Sequence, residues 1–253
     1  MLRNETASKL YELKMGTMAQ AFMEQMQSVQ YQELPFEDRF AMLVDAEWHS
    51  RKSNRIARLI RNAGYSLATA SIEDLSYNPD RKLNKTEILR LASCSYIEES
   101  RNIIIQGATG AGKTYLACAL GIAANKNCYA SKYIRLPDIL VEIAMARGNG
   151  TYRDVMQKYK KIPLLILDEW LLYPLKEDEA RDLLELIETR NQNASTIFCT
   201  QLGSGGWHEY LHDALTADAI CDRIVNNAYM ITIEGESMRK LNAPQPLCTE
   251  TKP

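Results

Sequence analysis

The eight residues Gly107-Ala108-Thr109-Gly110-Ala111-Gly112-Lys113-Thr114 constrain the fold of this chain more than any other stretch. They follow the apolar run Asn102-Ile103-Ile104-Ile105-Gln106 and open the helix-forming run Tyr115-Leu116-Ala117-Cys118-Ala119-Leu120. Strand, glycine loop, helix is the context in which G-x-x-x-x-G-K-[ST] holds phosphate. The glycines lack a Cβ, so the backbone can curl and aim successive N–H groups at a polyphosphate. The start of the next helix adds a field that favours negative charge. Lys113 can reach the β- and γ-phosphates, and Thr114 can ligate Mg²⁺. The nucleotide-binding stretch is therefore Gly107, Ala108, Thr109, Gly110, Ala111, Gly112, Lys113, Thr114 and Tyr115.

From residue 101 onward, strand and helix patterns alternate. Strands are predicted at 102–106, 128–135, 164–168, 195–200 and 229–234, with helices near 113–125, 137–147, 151–160, 177–191 and 215–226. This alternation argues for right-handed βαβ units and a five-stranded parallel sheet covered on both faces. Leu164-Leu165-Ile166-Leu167 fits a strand buried on both faces, and Asp168-Glu169 would emerge at its carboxyl edge, where open α/β sheets bind ligands. There Asp168 can hold the Mg²⁺ that bridges phosphates, and Glu169 can act as general base on a water. A catalytic Glu after the Asp, with a strand intervening after the loop strand, is the pattern of ATP hydrolases and motors, by analogy of class. Thr200-Gln201, ending the strand 195–200, could face the water or the γ-phosphate, or be a plain polar terminus. Asp222-Arg223 offers either an arginine finger or a surface ion pair.

Composition narrows the setting. The chain has 253 residues, 46% hydrophobic and 25% charged, long enough for one large domain and a smaller one. A net charge of -2 supplies no global positive field, so nucleic-acid binding would need a local patch. The cysteines at 94, 118, 128, 199, 221 and 248 form no C-x-x-C pair, which points to a reducing compartment. His49, His208 and His212 are too scattered for a metal site. The first 21 residues carry Arg3, Glu5, Lys9, Glu12 and Lys14 among apolar ones, unlike a signal peptide, and no run has membrane-spanning length. A cytoplasmic protein with no membrane partner is expected.

Ahead of the loop, residues 5–30 read as one amphipathic helix with Met15, Met18, Phe22 and Met26 on a stripe. Pro35 breaks it. A second helix runs from Phe36 to Gly64, continuous or bent. Its basic stretch places Arg51, Arg55 and Arg58 on one face, with Lys52 and Arg61 close by and no acid among them. That face is either simply solvated or a phosphate-contacting, DNA-binding one. Residues 65–100 read as a connector. Ser71-Ile72-Glu73-Asp74 and Thr86-Glu87-Ile88-Leu89 carry helix-start residues, the first close to a capping box, and Pro79-Asp80 mark a turn between them. A small N-terminal domain over 1–70, a nucleotide-binding domain over 71–241 and a tail over 242–253 follow.

Taken together, residues 107–114, 164–169 and 195–201, then Asp222-Arg223-Ile224-Val225-Asn226-Asn227-Ala228-Tyr229 and Gly235-Glu236-Ser237-Met238-Arg239-Lys240, resemble the IstB-type ATP-binding transposition helpers. These are AAA+ ATPases encoded beside a transposase in bacterial insertion sequences and related to DnaC helicase loaders. Leu34-Pro35-Phe36-Glu37-Asp38-Arg39 and Trp207-His208-Glu209 add to the resemblance, which spans nearly the whole chain. The resemblance implies a P-loop NTPase (AAA+) fold with no C-terminal lid, since 242–253 is short, behind a small all-helical N-terminal domain. It implies ATP and Mg²⁺ as cofactors, with Lys113 and Thr114 at phosphate and metal and Asp168 and Glu169 as the Walker B pair. Gln201 would be the sensor-1 residue, Arg223 a finger reaching a neighbouring subunit, and Arg239 sensor-2-like. It further implies a helical or ring-like homo-oligomer on duplex DNA and a cognate transposase as partner. Arg51, Lys52, Arg55, Arg58 and Arg61 lie in the domain that contacts DNA, and Arg147-Gly148-Asn149-Gly150-Thr151 matches a loop facing nucleic acid, though a helix–helix turn would look the same.

Three other functions compete. A replicative helicase loader of DnaC type would bind a hexameric helicase. A non-hydrolysing, nucleotide-gated DNA scaffold would have no use for Glu169. A small-molecule kinase would need neither the basic N-terminal face nor Arg223.

Overall fold

The computed structural model describes residues 2–238, with side chains from residue 5 onward. The chain divides into two compact units, the first ending at Arg58 and the second beginning at Leu59.

The first unit is helical: α1 (Leu2–Glu12), α2 (Gly16–Gln27), a short 3-10 turn (Val29–Tyr31) and most of α3 (Phe36–Ala63). The single helix expected over 5–30 is two. Lys14 adopts φ +58, and its N–H and that of Met15 close the end of α1 on Tyr11 and Leu10. No side chain of the turn caps α2. Its free N-terminus is satisfied from α3, where the Glu47 carboxylate accepts the Met18 N–H at 3.0 Å. Helix α3 runs unbroken for 28 residues, because no Gly or Pro interrupts it.

In the second unit Gly64, at φ +73, ends α3. The connector then departs from expectation. Ser71 starts no helix: its hydroxyl takes the Glu73 N–H and bonds the Glu73 carboxylate, closing a local turn instead. The next helix, α4 (Lys85–Ala92), is capped by Asn84, which accepts from the N–H groups of Thr86 and Glu87, so Thr86 lies inside it. A one-turn α5 (Ser95–Glu98) leads into the sheet.

The sheet has five parallel strands in the order β2-β3-β4-β1-β5. In chain order the elements are β1 (Asn102–Gly107), α6 (Lys113–Lys126), β2 (Ser131–Arg135), α7 (Leu136–Gly148), α8 (Tyr152–Lys161), β3 (Leu164–Trp170), α9 (Glu177–Arg190), β4 (Ser195–Thr200), α10 (Ala214–Val225) and β5 (Ala228–Ile233). Strand β2 starts three residues later than the apolar pattern predicts. Cys128, at φ +67, closes the end of α6, with the Tyr129 N–H on Ala124 O.

Both faces of the sheet are buried. Ile103, Ile105, Leu164, Ile166, Ile197 and Cys199 pack with α4, α5 and α6, while Ile104, Leu165, Leu167 and Phe198 pack with α7 to α10. Burial on both faces is why the strands read as continuous apolar runs. At the far end of the sheet Arg190 is 2% exposed. Its guanidinium donates to the carbonyls of Tyr159, Ile162 and Ser195 and to the Thr196 hydroxyl, and burial pulls its pKa down to about 9. Among the described residues no helix is long and apolar enough to cross a membrane. The expected missing lid and the tail over 242–253 lie outside the described residues.

Candidate functional site

The carboxyl edges of β1, β3 and β4 open onto a cavity of about 850 Å³, lined by Gly112, Lys113, Thr114, Asp168, Glu169 and Gln201 among others. The phosphate loop forms its floor. Gly107 is required where β1 leaves the sheet, because a Cβ there would stand 2.5 Å from the Ile233 carbonyl oxygen. Gly112 turns the chain into α6 at φ +98, a conformation that side chains resist. Lys113 folds back over the loop, its ammonium donating to Gly107 O at 2.9 Å and Ala108 O at 3.0 Å. Ala108 and Ala111 belong to the loop backbone, with Ala111 buried.

Beside the loop, Asp168 is 5% exposed and fully partnered. Its Oδ2 accepts from the Thr114 hydroxyl and the Tyr133 hydroxyl, both at 2.7 Å, and its Oδ1 accepts the Glu169 N–H at 2.9 Å. Burial pushes the Tyr133 hydroxyl pKa well up, so Tyr133 stays a donor. Thr114 and Asp168 thus present a hydroxyl and a carboxylate side by side. Among the described residues no three His, Cys, Asp or Glu converge as a metal cage. Two hard oxygen ligands suit Mg²⁺, which keeps waters and takes substrate phosphate oxygens.

Glu169 sits at an irregularity of the sheet. The pairing of β3 with β4 runs Leu167↔Phe198 and then Trp170↔Thr200, so β3 carries one residue more than its partner. At this bulge Glu169 adopts φ +55 and lines the cavity, while Trp170 is buried against Phe198 and Trp207. Arg135 Nη1 lies 3.8 Å from the Glu169 carboxylate and the same guanidinium is bidentate to Asp138. Gln201, just past β4, accepts the Thr109 hydroxyl at 2.9 Å and so ties the loop to that strand end. The Tyr115 hydroxyl accepts the Ser71 N–H at 3.2 Å and pins the connector to the start of α6.

Other expected residues have contacts of their own. Arg223, on α10, is paired with Glu188 at 2.8 Å and donates to Ala219 O. Arg147 is bidentate to the buried Asp182, lies over the Tyr152 ring at 4.2 Å, and is half exposed. Arg51 donates to Glu47 and to Lys14 O, and Lys52 lies over the Trp48 ring. Arg55, Arg58 and Arg61 are exposed. Arg239 lies outside the described residues. Sequence reasoning missed Tyr133 and Arg135. Period-two alternation of Ser131, Tyr133 and Arg135 along β2 was the available signal, but the partner strand was not fixed by sequence.

The fold is shared with solved P-loop proteins. The crystal structure of the DnaC helicase loader superposes with a TM-score of 0.56 at 17% identity, covering 65% of this chain and 97% of that one. In sequence, an insertion sequence ATP-binding protein of Sinorhizobium fredii is 36% identical over 240 residues, 95% of this chain and 98% of its own. An insertion sequence IS1162 ATP-binding protein of Pseudomonas fluorescens is 38% identical over 204 residues, 81% of this chain and 88% of its own. Residues 8–245 match the family described as IstB-like ATP binding protein, and the chain belongs to that family.

Proposed function

We propose that this chain is a cytoplasmic ATP hydrolase that assembles as a homo-oligomer on duplex target DNA, recruits and stimulates a cognate transposase, and comes apart on hydrolysis. The observation that carries the enzymatic part is the convergence of loop, Thr114–Asp168 pair and Glu169 around one cavity. Its place in transposition is supported by the insertion-sequence relatives. ATP with Mg²⁺ supplies a γ-phosphoryl group whose transfer to water releases the energy of the cycle.

The chain's own residues divide the work. Lys113 exchanges the carbonyls it now holds for phosphate oxygens. Thr114 and Asp168 hold the metal, and Tyr133 keeps Asp168 oriented. Glu169 takes a proton from water, with Arg135 Nη1 3.8 Å from its carboxylate. Gln201 orients groups near the γ-phosphate from its tie to Thr109. Arg223 leaves Glu188 to act on a neighbouring subunit's site, and Arg239 serves as a sensor. Arg51, Lys52, Arg55, Arg58, Arg61 and Arg147 supply the cationic contacts to DNA phosphates.

Sedimentation of the protein with duplex DNA tests this reading. A large DNA-bound species with ATP, absent with ADP or without nucleotide, is the expected result. A monomer under every condition would overturn the assembly and the trans role of Arg223.

A further inference from the structure

The connector carries a charged side chain that the reading above leaves unused. Arg81 ends the short 3-10 turn Pro79–Arg81 and is 8% exposed. Its Nη2 donates to Ala111 O, on the back of the phosphate loop, at 2.6 Å. The same Nη2 stands 2.7 Å from where a Cβ on Gly112 would be, so the missing side chain of Gly112 admits the guanidinium. The main chain of Arg81 is fixed independently, with its N–H on Asn78 O at 2.9 Å and its carbonyl taking the Glu234 N–H at 3.3 Å. Among the described residues no carboxylate pairs with it. Burial lowers its pKa, which registers the cost of keeping a cation there.

A neutral donor would serve to hold one carbonyl. A buried cation without an acid is costly, and the loop that the Arg81 guanidinium touches is the one built for a polyphosphate. A peptide unit is planar with its C=O and N–H opposed. Fixing the Ala111 carbonyl therefore fixes the Gly112 N–H in the opposite direction, and the charge polarises that peptide as a donor.

We infer that Arg81 is a positioning residue of the nucleotide site, holding the Ala111–Gly112 peptide so that the Gly112 N–H is preset for the polyphosphate and adding a fixed positive charge behind it. The inference rests on the reading of the loop as an ATP site. It makes the connector, which precedes the sheet, part of nucleotide recognition.

The test measures ATP and ADP affinity by calorimetry for the wild type, Arg81→Ala, Arg81→Lys and Lys113→Ala. Melting temperature and amide hydrogen exchange of residues 108–113 without nucleotide are measured alongside. Arg81→Ala is expected to weaken ATP by about 10- to 100-fold, the loss of one charge-assisted hydrogen bond, and to speed exchange at Gly112. Guanidinium at low millimolar concentration should restore part of the affinity of Arg81→Ala and leave the wild type unchanged. Arg81→Lys should stay within about 10-fold of wild type, since it keeps the charge. Wild-type affinity in Arg81→Ala would overturn the inference. So would a loss in both variants that guanidinium does not recover and that tracks a fallen melting temperature. If the wild type itself bound no ATP, or Lys113→Ala bound as well as wild type, the nucleotide reading would fail and this inference with it.

Discussion

Each unit of this molecule uses a buried charged side chain to satisfy stray backbone groups, and Glu47 and Arg190 do so with charges of opposite sign. In the first unit Glu47, 8% exposed, accepts the Met18 N–H at the start of α2. In the second Arg190, 2% exposed, donates to three carbonyls at the end of α8 and the start of β4. Helix starts leave donors and carry partial positive charge, and chain segments that leave carbonyls need donors. The sign of the buried group follows from which kind of backbone group is orphaned. The units differ in how much else surrounds that charge. Arg190 sits in a sheet core closed on both faces. Among the described residues of the first unit only Ala7, Ala19 and Leu43 are buried apolar residues, while Phe36, Phe40, Val44 and Trp48 recur every four residues on α3 and are all more than 40% exposed.

This contrast can be broken by substitution. Arg190→Met removes a costly buried cation but orphans three carbonyls. At about 1–3 kcal/mol each the orphaned groups outweigh the relief, so a net loss of about 3 kcal/mol is expected in urea unfolding of the second unit. A stability equal to wild type would mean the carbonyls find other partners. Glu47→Gln should cost about 1 kcal/mol, the scale of a lost helix cap, read as a lower melting temperature. The bond from Arg51 is the main cause that holds the Glu47 pKa below its usual value, followed by the Met18 N–H. A depressed carboxylate stabilises the fold above its unfolded pKa of about 4.3 and stops doing so as pH falls through the folded value. The wild-type advantage over Glu47→Gln should therefore be full at pH 7 and vanish in acid; an advantage that grew in acid would contradict the assigned role.

Smaller effects sharpen the comparison. Arg135→Ala removes a cation 3.8 Å from the Glu169 carboxylate, leaving the carboxylate free to turn. With an exposed pair contributing at most about 1 kcal/mol, ATP turnover should rise up to about fivefold. A fall in turnover would show that Arg135 assists the reaction. Phe40→Ser, on the exposed stripe, should shift unfolding by no more than about 0.5 kcal/mol. A larger loss would mean that the stripe is covered within the monomer.

The sequence was most legible where local pattern and tertiary role coincide. The apolar runs of β1, β3 and β4 are buried on both faces, so composition alone marked them. The glycine loop declared itself because its backbone shape needs residues without Cβ. Pattern failed where a single residue took a left-handed conformation against its type. Lys14 splits the first helix and Cys128 delays β2, and neither position carries a Gly or Asn to announce the turn. Ser71 misled because its hydroxyl found Glu73 two residues on rather than a helix start. At the site, Asp168 and Glu169 could be read from the end of an apolar strand, but the bulge at Glu169 depends on pairing with β4. Tyr133 and Arg135 reach the site from a strand far in sequence from their partners Asp168 and Glu169, and Arg81 from a turn without a motif. Only packing brings them there.

The central claim is that the cavity binds ATP and that Glu169 drives its hydrolysis. The direct measurement is ATP affinity and turnover of Glu169→Gln beside wild type, in the presence of Mg²⁺ and duplex DNA. Affinity should stay within about threefold while turnover falls at least about 100-fold, the scale of a lost general base. Turnover at the wild-type rate in that variant would contradict the account.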